Sequence, residues 1–171
     1  LAVGDLAGLF LSGTVGEGSD ASSLELPGAQ RELVEKVLDL GKPTIVVIFS
    51  GRPYNSGTLF DRASAVIQAW LPGQRGAGAL ADIMTGTANP EGRLSMSIPR
   101  SAGAMPYFYN NKIKSAGTPI QQDFGAAYPF GFGLSYTTFS MDSFAVEEKS
   151  IPIDGDIRVS LTVANTGKRE G

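Results

Sequence analysis

Thr44-Ile45-Val46-Val47-Ile48-Phe49 is an unbroken apolar run, β-branched at every position but the last. A strand with one face in water alternates apolar and polar residues, and this one does not. It is therefore expected to be covered on both faces, as in the middle of a parallel sheet. Upstream, Leu33, Val34, Val37 and Leu38 fall on one face of a helix, with Arg31, Glu32, Glu35 and Lys36 mostly on the other. Pro27-Gly28 opens that element and Gly41-Lys42-Pro43 stops it. Downstream, Ala65-Val66-Ile67-Gln68-Ala69-Trp70 reads as a second strand, ended by Leu71-Pro72-Gly73. Residues 76–85 form a short apolar helix closed by Gly86, and Asn89-Pro90-Glu91-Gly92 is a turn. Near the start, Leu6-Ala7-Gly8-Leu9-Phe10-Leu11 reads as a buried strand that stops at Ser12-Gly13. The rhythm predicts an α/β fold: a partial α/β sandwich with a mainly parallel sheet and flanking helices.

The texture changes after Pro99. Residues 100–133 are aromatic and turn-rich, and read as a long ordered wrap across a surface. From Thr138 the pattern is β. Ile157, Val159, Leu161 and Val163 alternate with Arg158, Ser160 and Thr162, and Asn165-Thr166-Gly167 supplies a turn. That predicts one half-buried strand of an antiparallel sheet. Two or three strands are too few to close a sandwich, so these residues are read as its first strands. The expected organisation is an α/β sandwich domain over 1–99, N-terminally incomplete, a connector over 100–137, and the beginning of a β domain over 138–171.

Composition narrows the chemistry. With 42% hydrophobic and 18% charged residues, a sizeable core can be buried. A formal net charge of −3 disfavours nucleic acid or an anionic membrane as partner. The chain has no cysteine and no histidine, which excludes disulfides, thiolate metal sites, a His-ligated zinc and a Ser/His/Asp triad. A general acid or base must then be Asp, Glu, Lys or Tyr, and no cofactor is expected. The apolar run at 6–11 is too short to cross a bilayer, and no signal peptide is visible. Leu rather than Met at position 1 is read as the start of a mature or cut chain.

Gly13-Thr14-Val15-Gly16-Glu17-Gly18-Ser19-Asp20 follows the strand read at 6–11, and ligands gather beyond the carboxyl ends of parallel strands. Its spacing is G-x-x-G-x-G rather than the dinucleotide fingerprint, and no helix starts there to receive a pyrophosphate. The residues leave two readings of Glu17 open: a carboxylic acid presented on pliable backbone, or a solvated glutamate in a surface turn. Gly51-Arg52-Pro53 and Trp70-Leu71-Pro72-Gly73-Gln74 also stand at strand ends. Arg52 suits a ligand contact or a carboxylate pair that holds the loop, and Trp70 suits sugar stacking or plain packing. Tyr128-Pro129-Phe130-Gly131-Phe132-Gly133-Leu134-Ser135-Tyr136 suits a tightly packed connector.

These motifs form an ordered set. Leu26-Pro27-Gly28-Ala29-Gln30, Gly41-Lys42-Pro43, Gly51-Arg52-Pro53 and Ala69-Trp70-Leu71-Pro72-Gly73-Gln74 come first. They are followed by Gly76-Ala77-Gly78-Ala79-Leu80-Ala81-Asp82, Asn89-Pro90-Glu91-Gly92-Arg93-Leu94 and the Tyr128–Thr137 stretch. The series resembles the C-terminal half of family-3 glycoside hydrolases, the β-glucosidase group, over nearly the whole chain. The resemblance implies a (β/α)8-type barrel joined to an α/β sandwich and, in many members, a fibronectin-III-like β-sandwich. It implies an Asp nucleophile on the barrel, which this chain lacks, and a general acid/base Glu on a sandwich-domain loop. Val15-Gly16-Glu17-Gly18-Ser19-Asp20 matches that loop, so Glu17 takes the catalytic role and Asp20 a substrate-binding one. Two positions depart from the pattern: Val15 stands for a Ser, and Ala21 for an Arg whose charge could hold Asp20 or the substrate.

The implied activity is retaining exo-β-glycosidase, β-glucosidase in particular, with a β-glucoside or oligosaccharide as substrate. The missing N-terminal barrel domain would be its partner, and the location periplasmic or secreted. The isolated chain is expected to be inactive. The alternatives are a non-catalytic carbohydrate-binding or structural module and a flavodoxin-like nucleotide binder.

Overall fold

The computed structural model describes residues 1–5, 21, 23–55, 57–110, 125–148 and 150–171. The chain divides into two units, 1–80 with 93–132 and 81–92 with 133–171. The strand read at 6–11 lies outside the described residues.

The first unit is built on a three-stranded parallel sheet in the order β1-β2-β3, from Ala2–Gly4, Ile45–Phe49 and Ala65–Gln68. The apolar run that opens the reading is its central strand. Val46, Val47 and Ile48 are consecutive and all buried, so both faces are covered, as the missing alternation requires. Val3 pairs with Ile48 on one side of β2, and Val47 pairs with Ile67 on the other.

Helix α1, Gln30–Asp39, closes one face of this sheet. Val34 and Leu38, one turn apart, are the buried pair, whereas Leu33 remains 46% exposed. The helix stops at Gly41, whose φ of 65° is left-handed and whose N–H reaches the Leu38 carbonyl at 3.0 Å. Val34 and Leu38 meet Val3, Leu26, Val46, Ile48, Tyr54, Leu59 and Phe60 in one core. Leu59 and Phe60 come from a 3-10 helix, Gly57–Arg62, that fills the gap between β2 and β3. Val34→Ala, which empties two methyls from a fully buried site, is expected to cost about 2 kcal/mol in urea denaturation. Exposed ion pairs such as Arg62–Asp39, at 2.6 Å, contribute at most about 1 kcal/mol each.

Three features differ from the sequence reading. Strand β3 ends at Gln68 rather than Trp70, because Trp70 takes a φ of 53° and turns the chain away. A further two-stranded antiparallel sheet joins β4, Ile98–Pro99, to β5, Ala126–Tyr128, with Ile98 opposite Tyr128. Beside it, Gly131 N–H donates to the Leu94 carbonyl at 2.8 Å and Leu94 N–H to that of Phe132 at 2.9 Å. Tyr109 stacks on Phe130 at 4.8 Å and Tyr128 on Phe132 at 5.3 Å, yet Tyr109 stays 69% exposed.

Helix α2, Gly76–Thr85, ends at Gly86 as the sequence predicts. In the second unit Tyr136 Oη donates to the Ile83 carbonyl at 2.9 Å, and the Arg169 guanidinium donates to that of Gly86 at 2.8 Å. Strands β6, Phe139–Val146, and β7, Val159–Asn165, pair antiparallel. Ser143, at φ 57°, bulges β6 between Asp142 and Ala145. Gly167 N–H closes the expected turn onto Asn165 Oδ1 at 3.0 Å. The sequence predicts a half-buried strand here, and the structure corrects that. Val159, Leu161 and Val163 are 53%, 47% and 54% exposed, since among the described residues β7 pairs only with β6 and no further layer covers its apolar face.

Candidate functional site at the carboxyl edge of the parallel sheet

Parallel strands deliver their following loops to one edge. Here that edge collects Asp5 after β1, Ser50 to Asn55 after β2, and Gln68 at the end of β3 with Ala69 and Trp70 after it. Asp5 is a buried carboxylate, 4% exposed. Such a group is costly unless its oxygens are bonded, and both are. Gly51 N–H donates to Oδ2 at 3.1 Å and the Tyr54 hydroxyl donates to Oδ1. Burial raises the Tyr54 hydroxyl above its ordinary value, and the Asp5 bond and charge raise it further, with the Arg52 charge opposing.

The rest of the edge is equally ordered. Ser50 Oγ donates to the Arg52 carbonyl at 2.7 Å and accepts from Gln68 Nε2 at 3.0 Å, while Ser50 N–H bonds the Trp70 carbonyl at 3.2 Å. Gln68 Oε1 is buried with no hydrogen-bond partner among the described residues, an acceptor left open at this edge. Asn55, also buried, ties three segments together. Its N–H donates to the Leu24 carbonyl at 2.8 Å. Its side-chain amide donates to the carbonyls of Pro99 and Arg100 at 2.6 and 2.8 Å. On the other side of Asp5, the Gln30 amide grips Gly4 twice, accepting from its N–H at 2.6 Å and donating to its carbonyl at 3.1 Å.

The Tyr54 shift gives a stability signature. The folded chain holds the phenolic proton more tightly than the unfolded chain does. The hydroxyl's contribution is thus intact below about pH 10 and lost as pH rises from there through the folded-state value. Urea midpoints of the native chain and of Tyr54→Phe, followed from pH 7 to pH 11, are expected to converge above about pH 10. Parallel curves would contradict this.

Glu17 and Asp20 lie outside the described residues. Arg52 and Trp70 stand at the edge where the sequence puts strand ends, both partly buried. Sequence reasoning missed Asp5, Tyr54 and Gln30. Asp5 follows a three-residue strand and meets Tyr54 across 49 positions, a pairing that no local pattern encodes. Among the described residues no group of three or more acidic side chains could hold a metal ion. Nor is any helix among them long and apolar enough to cross a membrane.

Comparison with known proteins agrees with this architecture. The sequence profile described as "Glycosyl hydrolase family 3 C-terminal domain" matches residues 2–136. A β-xylosidase of Formosa agariphila is 40% identical over 162 residues, covering 92% of this chain and 22% of that protein. A periplasmic β-glucosidase of Salmonella typhimurium is 34% identical over 172 residues, covering 93% of this chain and 22% of the relative. Among solved structures, a β-glucosidase from Listeria innocua in complex with glucose superposes with a TM-score of 0.85 at 30% identity. That alignment covers 98% of this chain and 24% of that one. A β-glucosidase from Erythrobacter marinus gives 0.82 at 38% identity, over 92% and 22% of the two chains. The chain thus spans between a fifth and a quarter of the length of these proteins. It belongs to glycosyl hydrolase family 3, and residues 2–136 correspond to that family's C-terminal domain.

Proposed function

We propose that this chain is the acid/base-bearing portion of a retaining exo-β-glycosidase that releases terminal non-reducing β-D-glycosyl residues, β-glucosidase being the main activity. The match of residues 2–136 to the family domain carries the reading, because it encloses Glu17 and the glycines that flank it in the sequence. Glu17 protonates the departing glycosidic oxygen and then takes a proton from the water that frees the sugar. Asp20 contributes to substrate binding, in a setting weakened by Ala21. The nucleophilic Asp belongs to an N-terminal barrel, and retention requires it about 5–5.5 Å from Glu17. In that setting desolvation and like-charge repulsion raise the Glu17 carboxyl toward working pH, as a general acid needs.

In this reading residues 1–99 are the α/β sandwich, 100–137 the connector and 138–171 the start of a fibronectin-III-like domain. The substrate is a β-glucoside or oligosaccharide, and the name of the Salmonella typhimurium relative supports a periplasmic or secreted location. Nucleic acid and membrane are not partners.

The test compares the isolated chain with the protein that includes the barrel, using aryl β-glucosides and β-xylosides. The full enzyme is expected to turn them over and the chain alone to show no activity above buffer. Turnover by the chain alone would overturn the division of the catalytic pair. Saturable oligosaccharide binding by the chain without turnover in the full protein would favour a non-catalytic carbohydrate-binding module.

A further inference from the structure

Trp70, the chain's one tryptophan, stands at the carboxyl edge of the parallel sheet in an unfavourable backbone conformation. Its φ of 53° is left-handed, a region that a bulky side chain enters only at a cost and that glycine enters freely, as Gly73 does three residues on. The turn itself is held by main chain. Ala69 N–H donates to the Ile48 carbonyl at 2.9 Å, and Ser50 N–H to that of Trp70 at 3.2 Å. Neither bond needs an aromatic side chain at position 70.

Core packing does not explain the ring either. Leu1 and Ala63 are the partly buried apolar side chains packed on the core of the first unit, and Trp70 is not among them. Among the described residues, ring contacts join Tyr109 to Phe130, Tyr128 to Phe132 and Arg169 to Tyr136, and none involves Trp70. Its indole N–H donates to no described group, and Gln68 Oε1 is the one buried side-chain atom among those residues without a partner, so this donor is not sealed from solvent. Beside it Leu71 is 55% exposed, with Cδ1 3.8 Å from where a Cβ would stand on Gly51.

A strained aromatic with an open donor, at the edge where ligands of parallel sheets gather, suits a sugar ring. A β-glucosyl ring carries its hydroxyls around the rim and its axial C–H bonds on two flat faces. Those weakly positive C–H groups pack on the negative face of an indole, and a rim hydroxyl can accept from its N–H. We propose that Trp70 is a sugar-stacking residue that holds one ring of a β-linked oligosaccharide. The proposal rests on the reading of the chain as part of a β-glycosidase, which supplies the ligand class, and adds a binding contact that reading does not contain.

Two variants of the full-length enzyme test it. Trp70→Leu keeps an apolar side chain without a flat face, and Trp70→Phe keeps the face without the donor. Trp70→Leu is expected to raise KM for cellobiose about tenfold with kcat within about twofold of native, the pattern of lost substrate binding. Trp70→Phe is expected to stay within about threefold of the native KM. A native KM in Trp70→Leu, or equal rises in both variants, would overturn the stacking role. Should Trp70→Leu not fold, 5-fluorotryptophan labelling decides. The fluorine resonance absent from Trp70→Phe is expected to move when the native enzyme is saturated with S-linked thiocellobiose, and an unmoved resonance would overturn the proposal. If native enzyme turns over β-glucosides while Trp70→Leu keeps its KM, only the stacking role fails. If the native enzyme turns over no β-glycoside, the glycosidase reading fails and the proposal falls with it.

Discussion

Glu17→Gln in the full-length enzyme is expected to lower kcat/KM for alkyl β-glucosides by about 10²- to 10⁴-fold, the usual contribution of a positioned general acid. The amide is nearly isosteric and keeps hydrogen-bonding capacity, but it cannot give a proton to the oxygen whose bond is breaking. With a dinitrophenyl glucoside the same ratio of constants is expected to change little, since kcat/KM reports only the steps through formation of the glycosyl-enzyme. The kcat for that substrate should still fall, because breakdown of the glycosyl-enzyme needs a base to take a proton from water. Its KM should fall in parallel as the covalent species accumulates. A mutant that keeps its native rate on alkyl glucosides would remove Glu17 from the mechanism.

The second large effect is structural and close to the same place. Gly4 has a φ of 104°, and a Cβ built there would collide with the Phe49 backbone, its carbonyl oxygen above all, across the β1–β2 pair. Neither fault has a cheap remedy. The backbone region is nearly closed to L side chains, and the colliding group is main chain of the central strand rather than a side chain that can swing away. Conformational strain and overpacking together make Gly4→Ala cost about 3 to 5 kcal/mol. Any relaxation that relieved the clash would pull β1 off β2 and break the two Gln30 bonds to Gly4. Thermal unfolding of the chain reads this directly. A loss below about 1 kcal/mol would mean that the end of β1 is far more pliable than the pairing of Gly4 with Phe49 implies.

The parts of this fold legible in the sequence were those with a long local period. Residues 45–49 announced a doubly covered strand by failing to alternate, and the helix at 76–85 was bounded by its own glycines. What stayed hidden was short or non-local. Strands β1, β4 and β5 have three, two and three residues, too few to show any period. The apolar run at 6–11 drew attention from β1 because it is longer. The left-handed turn at Trp70 contradicts that residue's own preference for a strand and is imposed by its surroundings. The exposure of Val159, Leu161 and Val163 depends on what lies opposite, which alternation within one strand does not encode.

The candidate site divides in the same way. Spacing alone left Glu17 as either an acid or a surface glutamate, and the ordered motifs that follow it are what bring the acid reading forward as a proposal. Asp5, a carboxylate at the sheet edge, had no motif to mark it. Its importance lies in being buried against Tyr54, and only three-dimensional proximity shows that.

The direct test of the acid/base role uses a small nucleophile. Glu17→Ala in the full-length enzyme, supplied with a dinitrophenyl β-glucoside, should form the glycosyl-enzyme and then stall for want of a base. Azide needs no deprotonation, so adding it should restore turnover and yield a β-configured glycosyl azide, since two inversions give retention. No rescue, or an α-configured azide, would contradict the assignment of Glu17 as the acid/base of a retaining glycosidase.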